Sequence, residues 1–171
     1  MTVPPNGLDG GSSGHGRSLL VLGGFIALVF AISAIGGAVT AGSVHTWYQT
    51  LIHPAFAPPD WVFAPVWSAL YLSIAVAGWM VWRQVGFRGG RETFMFYGLQ
   101  LALNLAWSLL FFGLHTIGAA LIDVSLLVLA VYFTLRACYR IVPRAGLLLI
   151  PYLAWVSFAA VLNAAFWYLN L

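Results

Sequence analysis

The side chains with the most chemistry to offer recur at helical spacing. Residues three and four apart share a face of an α-helix, which advances about 100° per residue. Gln100, Asn104, Trp107 and Phe111 therefore fall within one arc of roughly 60°. Trp67, Tyr71, Ile74 and Gly78 share a second face. Trp155, Ala159, Leu162 and Phe166 share a third, with Asn163 at its edge. If these faces converge, they form an aromatic box with a few amide groups. Such a box suits a flat, hydrophobic, conjugated ligand, because rings stack on rings and amides orient. The competing role for tryptophan and tyrosine in an apolar chain is the belt at the membrane–water interface. That role fits Trp47, Tyr48, Trp82, Trp167 and Tyr168, which lie at the ends of apolar runs, and fits Trp107 poorly.

Other chemistries have no visible machinery. His15, His45, His53 and His115 all lie outside the apolar runs, so a b-type cytochrome lacks its axial ligands. No C-x-x-C, phosphate-binding glycine loop, H-E-x-x-H or serine elbow occurs. The residues define no metal site, no firm catalytic group and no obligatory cofactor. Asp123 is the one acid inside an apolar run. Beside Leu127, Ala130 and Thr134 on its face, it is expected to accept hydrogen bonds from Trp, Tyr or Ser donors, or to cap a helix. Cys138 is the single cysteine, so no intramolecular disulfide can form.

The elements that position these faces follow from composition. Hydrophobic residues make up 62% of the chain and charged residues 6%. A soluble domain carries about 25% charged residues, so this chain cannot coat itself for water. The fold class is an all-α integral membrane protein, a bundle of five transmembrane helices. The spans are expected at 19–43, 64–83, 94–113, 117–136 and 147–169, each near the ~20 residues a crossing needs. Residues 1–18 are rich in Gly, Ser and Pro and read as a disordered tail. Residues 44–63 form an outer loop. Pro54, Pro58 and Pro59 stiffen it and Pro65 follows, so the stretch from Trp47 to Tyr71 reads as a lid over a pocket.

The seven arginines set the orientation. Arg17 precedes the first span, Arg83, Arg88 and Arg91 sit between the second and third, and Arg136, Arg140 and Arg144 between the fourth and fifth. Five crossings put all of them on one side. By the positive-inside rule the N-terminus is cytoplasmic and the C-terminus outside, in a bacterial inner membrane. The basic balance therefore reflects topology, and no nucleic-acid partner is implied. On the third span, Gly98, Ala102 and Ala106 lie opposite the polar face at small-xxx-small spacing. That smooth face suits another helix, including one from a second subunit.

Three spaced motifs carry a resemblance. The loop and second span read W-Y-x-x-L-x-x-P-x-F-x-P-P-x-W-V-F-x-x-V-W-x-x-L-Y from Trp47 to Tyr71. The third span reads F-Y-x-x-Q-L-x-L-N-x-x-W-x-x-x-F-F from Phe96 to Phe112, and the fifth P-Y-x-x-W-x-x-F-A-x-x-L-N from Pro151 to Asn163. Together they resemble the TspO/MBR family of tryptophan-rich sensory and translocator proteins. The likeness covers the chain from the first span to the C-terminus. It implies a five-helix bundle, commonly a homodimer through the third helix, with a pocket under the first loop. It implies porphyrin as the ligand, with sterols and synthetic benzodiazepine-site compounds as others. By motif, the pocket would involve Trp61, Trp67, Tyr71, Asn104, Trp107, Phe111, Trp155 and Ala159. A photo-oxidative breakdown of porphyrin is the alternative activity, with Trp67 and Trp155 as its active residues. Transport of tetrapyrrole or sterol is another. The family's sterol motif needs a basic residue after a tyrosine at the end of the last helix, and here Tyr168 is followed by Leu-Asn-Leu.

Overall fold

A computed structural model describes residues 10–171, with side chains from His15 onward. Among the described residues every regular element is helical. In chain order these are α1 (Gly10–Val44), α2 (Trp47–Thr50), α3 (Phe63–Gly89), α4 (Arg91–Ser108), α5 (Ile117–Ile141), α6 (Pro143–Leu148) and α7 (Ile150–Leu169). A 3₁₀ turn (Asp60–Val62) leads into α3, and a π turn (Leu109–Gly113) ends α4. Five stretches are long and apolar enough to cross a membrane: His15–Val44, Asp60–Gly89, Arg91–Gly113, Ile117–Ile141 and Pro143–Leu169. The chain is a multi-pass membrane protein built as a five-helix bundle.

Neighbouring spans run in opposite directions. The Trp79 indole N–H, late in α3, donates to the carbonyl oxygen and hydroxyl of Ser18, early in α1, at 3.0 and 3.2 Å. The Arg83 guanidinium lies over the Trp79 ring at 4.8 Å. At the opposite end, Ser43 of α1 donates its hydroxyl to the Phe112 carbonyl at 2.5 Å and lies 3.2 Å from His115 Nε2. His115 is the one non-glycine residue with a positive φ, 56°, among those described. Its ring stacks on Trp47 at 4.2 Å, which holds the short turn between α4 and α5 in that unfavoured conformation.

The expected boundaries shift at the arginine-bearing end. Residues 10–18, read from composition as tail, continue α1, and residues 1–9 lie outside the described residues. Once the apolar span is helical, each added residue gains a hydrogen bond without a new nucleus. The second and fourth spans run to Gly89 and Ile141, past the expected 83 and 136. Arginine stems lie along apolar surface while their heads reach water, so a charge does not end a helix. α3 turns at Gly86, whose φ of 66° only glycine adopts freely. The fifth span begins as α6, breaks at Leu149 and resumes as α7 with Pro151 in its first turn. The outer loop is partly helical through α2 and the 3₁₀ turn.

α6 is clamped onto the end of α5. A Cβ on Gly146 would lie 2.9 Å from the Tyr139 nitrogen and 2.8 Å from its Cα, so only glycine permits this approach. Backbone cannot step aside as a side chain can. Gly146→Ala is therefore expected to cost about 2–3 kcal/mol, read as a lower thermal midpoint in detergent and a lower folded yield. An unchanged midpoint would show that α6 docks loosely.

Two groups of buried side chains form the core. One, around Phe25, Ile74, Val81, Tyr97 and Tyr152, fills the arginine-bearing half and the middle. Phe25 packs there against Phe87, Phe94 and Tyr97 with centroids 5.7–6.1 Å apart. The other gathers Tyr48, Phe111, Leu162 and Phe166 at the arginine-free end. Asp123 departs from its expected role. It is 8% exposed, and its Oδ2 has no hydrogen-bond partner. Among the described residues no Trp, Tyr or Ser donor bonds it: Trp107 and Tyr71 donate to Asn163 and Asn104, and Ser125 of its own helix donates to the Leu121 carbonyl.

Candidate functional site

A cavity of about 560 Å³ lies between the two core groups, within the roughly 300–1,000 Å³ of ordinary ligand pockets. α4 and α7 form its back, α1 and α3 its flanks, and the segment from His45 to Phe63 its outer rim. The room comes from α1, which presents Ser33, Gly36, Gly37, Thr40 and Ala41 where bulkier residues would fill the space.

The floor is a chain of buried polar groups. Tyr71 O–H donates to Asn104 Oδ1 at 2.5 Å. Asn104 Nδ2 donates to the Tyr152 hydroxyl oxygen at 3.3 Å, and Tyr152 O–H donates to Gln100 Oε1 at 2.8 Å. Each donor points the same way along the chain, so the Tyr71 oxygen is left as an acceptor toward the cavity. A group of this kind costs free energy when buried without partners and becomes rigid when all are paired. Beside it, the Trp107 indole N–H donates to Asn163 Oδ1 at 3.0 Å, and Asn163 Nδ2 donates to the Ile117 carbonyl at 3.0 Å. That pair ties α4, α5 and α7 together within the cavity wall.

The walls are aromatic. Trp67 lies 5.5 Å from the Tyr71 ring, and Trp107 stacks on Phe111 at 5.4 Å. The π turn widens the end of α4 so that Phe111 and Phe112 both line the cavity. Such turns recur at functional sites. At the rim, burial, with a smaller contribution from Asp60, pushes the Tyr48 hydroxyl up to about 12, so it stays a neutral phenol. His45 and Asp60 are the titratable side chains of the rim besides Tyr48. Trp61 reaches the cavity yet stays 75% exposed.

Of the residues singled out by sequence, Trp61, Trp67, Tyr71, Asn104, Trp107, Phe111 and Ala159 all line this one cavity. Trp155 does not. Phe63 takes its place on the wall, and Trp155 packs edge-on against Phe63 at 5.8 Å and beside Phe158 at 5.7 Å. Gly98 and Ala102 lie exposed on the far side of α4 and Ala106 half-buried, with nothing in the chain near the Gly98 backbone. The α1 wall went unread in the sequence, although Ser33, Gly36, Gly37 and Thr40 repeat at helical spacing. Tyr152 was also missed as part of the floor, although it lies seven residues before Ala159 on the same face.

The outer loop lies across α7 and is tied there. Ile52 N–H donates to Asn170 Oδ1 at 2.8 Å, and Asn170 Nδ2 donates back to the Ile52 carbonyl at 3.1 Å. Phe56 packs on Phe158 at 6.3 Å. The loop is thus strapped to the C-terminus, while its His45, Tyr48, Asp60, Trp61 and Phe63 border the cavity.

The model of the TspO/MBR family matches residues 25–169. A tryptophan-rich protein TspO of Archaeoglobus fulgidus is 40% identical over 90% of this chain and 99% of its own. The translocator protein of Bos taurus is 38% identical over 84% of this chain and 86% of its own. A tryptophan-rich sensory protein of Cereibacter sphaeroides is 34% identical over 77% of this chain and 84% of its own.

Proposed function

The chain belongs to the TspO/MBR family, and from that premise we propose that it is a membrane receptor or sensor whose cavity binds porphyrins. The observation that carries this is the cavity itself: aromatic walls from Trp67, Trp107 and Phe111 over a floor held in one hydrogen-bonded arrangement. A conjugated macrocycle stacks on such walls, and the free Tyr71 oxygen can accept from a pyrrole N–H. The arginine-bearing half below is packed with Phe25, Phe87, Phe94 and Tyr97. That favours a receptor over a carrier, since passage would require this cluster to part. Trp155 behind Phe63 gives less support to a photochemical pair with Trp67. In this proposal the N-terminus is cytoplasmic, and two copies meet through Gly98, Ala102 and Ala106. The test is titration with protoporphyrin IX followed by tryptophan fluorescence. Saturable quenching is expected in the intact protein and weaker binding in Trp67→Ala. Equal affinity in both would remove the cavity as the site.

The charge of the rim makes a further expectation. Every arginine lies at the other end, so a porphyrin with two carboxylates meets Asp60 and His45 at the mouth. Asp60→Asn should tighten binding by roughly two- to fivefold at low salt, with less effect at high salt. The dimethyl ester of the same porphyrin should not respond. An equal response from both would show that Asp60 acts through the loop, where Gln49 Nε2 donates to it at 3.3 Å.

A further inference from the structure

A second recess lies at the arginine-bearing end, outside the bundle. It is an open groove of about 490 Å³ lined by Ser73 and Met80 of α3, Arg144, Leu147 and Leu148 of α6, and Pro151 of α7. Seven residues separate Ser73 from Met80, so the groove follows α3 for about 10 Å. Its lining is apolar except at Ser73, whose hydroxyl bonds back to the Ala69 carbonyl, and at Arg144. Leu147 and Leu148 are exposed along it.

Arg144 is exposed and makes no ion pair, hydrogen bond or ring contact among the described residues, whereas Arg83 rests on Trp79. It is also held in place. The Gly146 contact clamps α6 to Tyr139, so the short helix carrying Arg144 cannot drift from the groove. An unpaired guanidinium at the end of an apolar groove is complementary to one kind of membrane molecule. We propose that this groove binds an anionic glycerophospholipid, with its phosphate on Arg144 and an acyl chain along Met80, Leu147 and Leu148. The planar guanidinium matches two phosphate oxygens at once. Among the described residues this end holds seven arginines and one acid, Glu92, while Asp60 and Asp123 lie toward the other end, so the local field favours a lipid with net negative charge over a zwitterion.

The test uses the full chain in neutral detergent, titrated with dioleoyl-phosphatidylglycerol or dioleoyl-phosphatidylcholine and read by native mass spectrometry. The intact protein should bind the first phosphatidylglycerol about fivefold more tightly than phosphatidylcholine, as one arginine near a charged lipid surface contributes. Arg144→Gln should erase that preference and Arg144→Lys should keep part of it. Arg91→Gln, at the same end but off the groove, should leave it intact. Porphyrin binding reports that each variant is folded, and it should not change. No preference in the intact protein would overturn the proposal. So would equal loss in Arg91→Gln and Arg144→Gln, which would mark a diffuse basic surface.

Discussion

Ala159→Phe is expected to weaken porphyrin binding by about a hundredfold or more while leaving the fold in place. Ala159 is half-buried on α7, and its methyl group faces the cavity. A phenyl ring there enters space that is already empty, so the usual cost of overpacking a filled core does not arise. The ring would enter the cavity that Trp67 and Trp107 also line, where a macrocycle has to lie. A hundredfold loss is about 2.8 kcal/mol, less than the stacking and burial a flat ligand would forfeit there. Fluorescence quenching by protoporphyrin IX gives the affinity, and a thermal melt of the empty protein gives the fold. Unchanged affinity with an unchanged melt would place the ligand elsewhere.

Asn104→Leu should act on both quantities. Asn104 accepts from Tyr71 and donates to Tyr152, so its loss leaves one buried hydroxyl without an acceptor and one without a donor. Hydrogen bonds within membrane bundles average about 0.6 kcal/mol and reach about 1.7, so the pair is worth about 1–3 kcal/mol. The thermal midpoint should fall by several degrees. Affinity should fall about tenfold or more, because the Tyr71 oxygen is no longer held at the floor. Tyr71→Phe removes the same bond from the other side. If the two act through one bond, the double variant should be little worse than the worse single one. Additive losses would show that Asn104 and Tyr71 contact the ligand independently.

The five crossings were legible because hydrocarbon imposes one rule on every span, and the arginines mark which ends share a side. The cavity-facing residues of α3 and α4 were legible for a related reason. Amides and hydroxyls such as Asn104 and Tyr71 cannot face lipid, so their faces must turn inward. What spacing could not supply is which neighbour fills a given gap. Trp155 and Ala159 share a face of α7, yet Phe63 of α3 comes between Trp155 and the cavity. The α1 wall was illegible for the opposite reason, since small residues such as Gly36 and Thr40 serve close packing and open space equally well. At Gly36 both occur at once, with the Ser108 hydroxyl 3.1 Å from where its Cβ would lie. The extra turns at the arginine end were missed because composition weighs charge against burial, while a helix is limited only by its backbone.

The contact between Ser43 and His115 has a consequence for the imidazole. A serine hydroxyl holds one hydrogen, and here the Phe112 carbonyl, which can only accept, takes it. The Ser43 oxygen can then bond His115 Nε2 only as an acceptor, so that nitrogen must carry its own hydrogen. Neutral His115 is therefore fixed as the Nε2–H tautomer. The lone pair that this tautomer leaves as a hydrogen-bond acceptor is then on Nδ1.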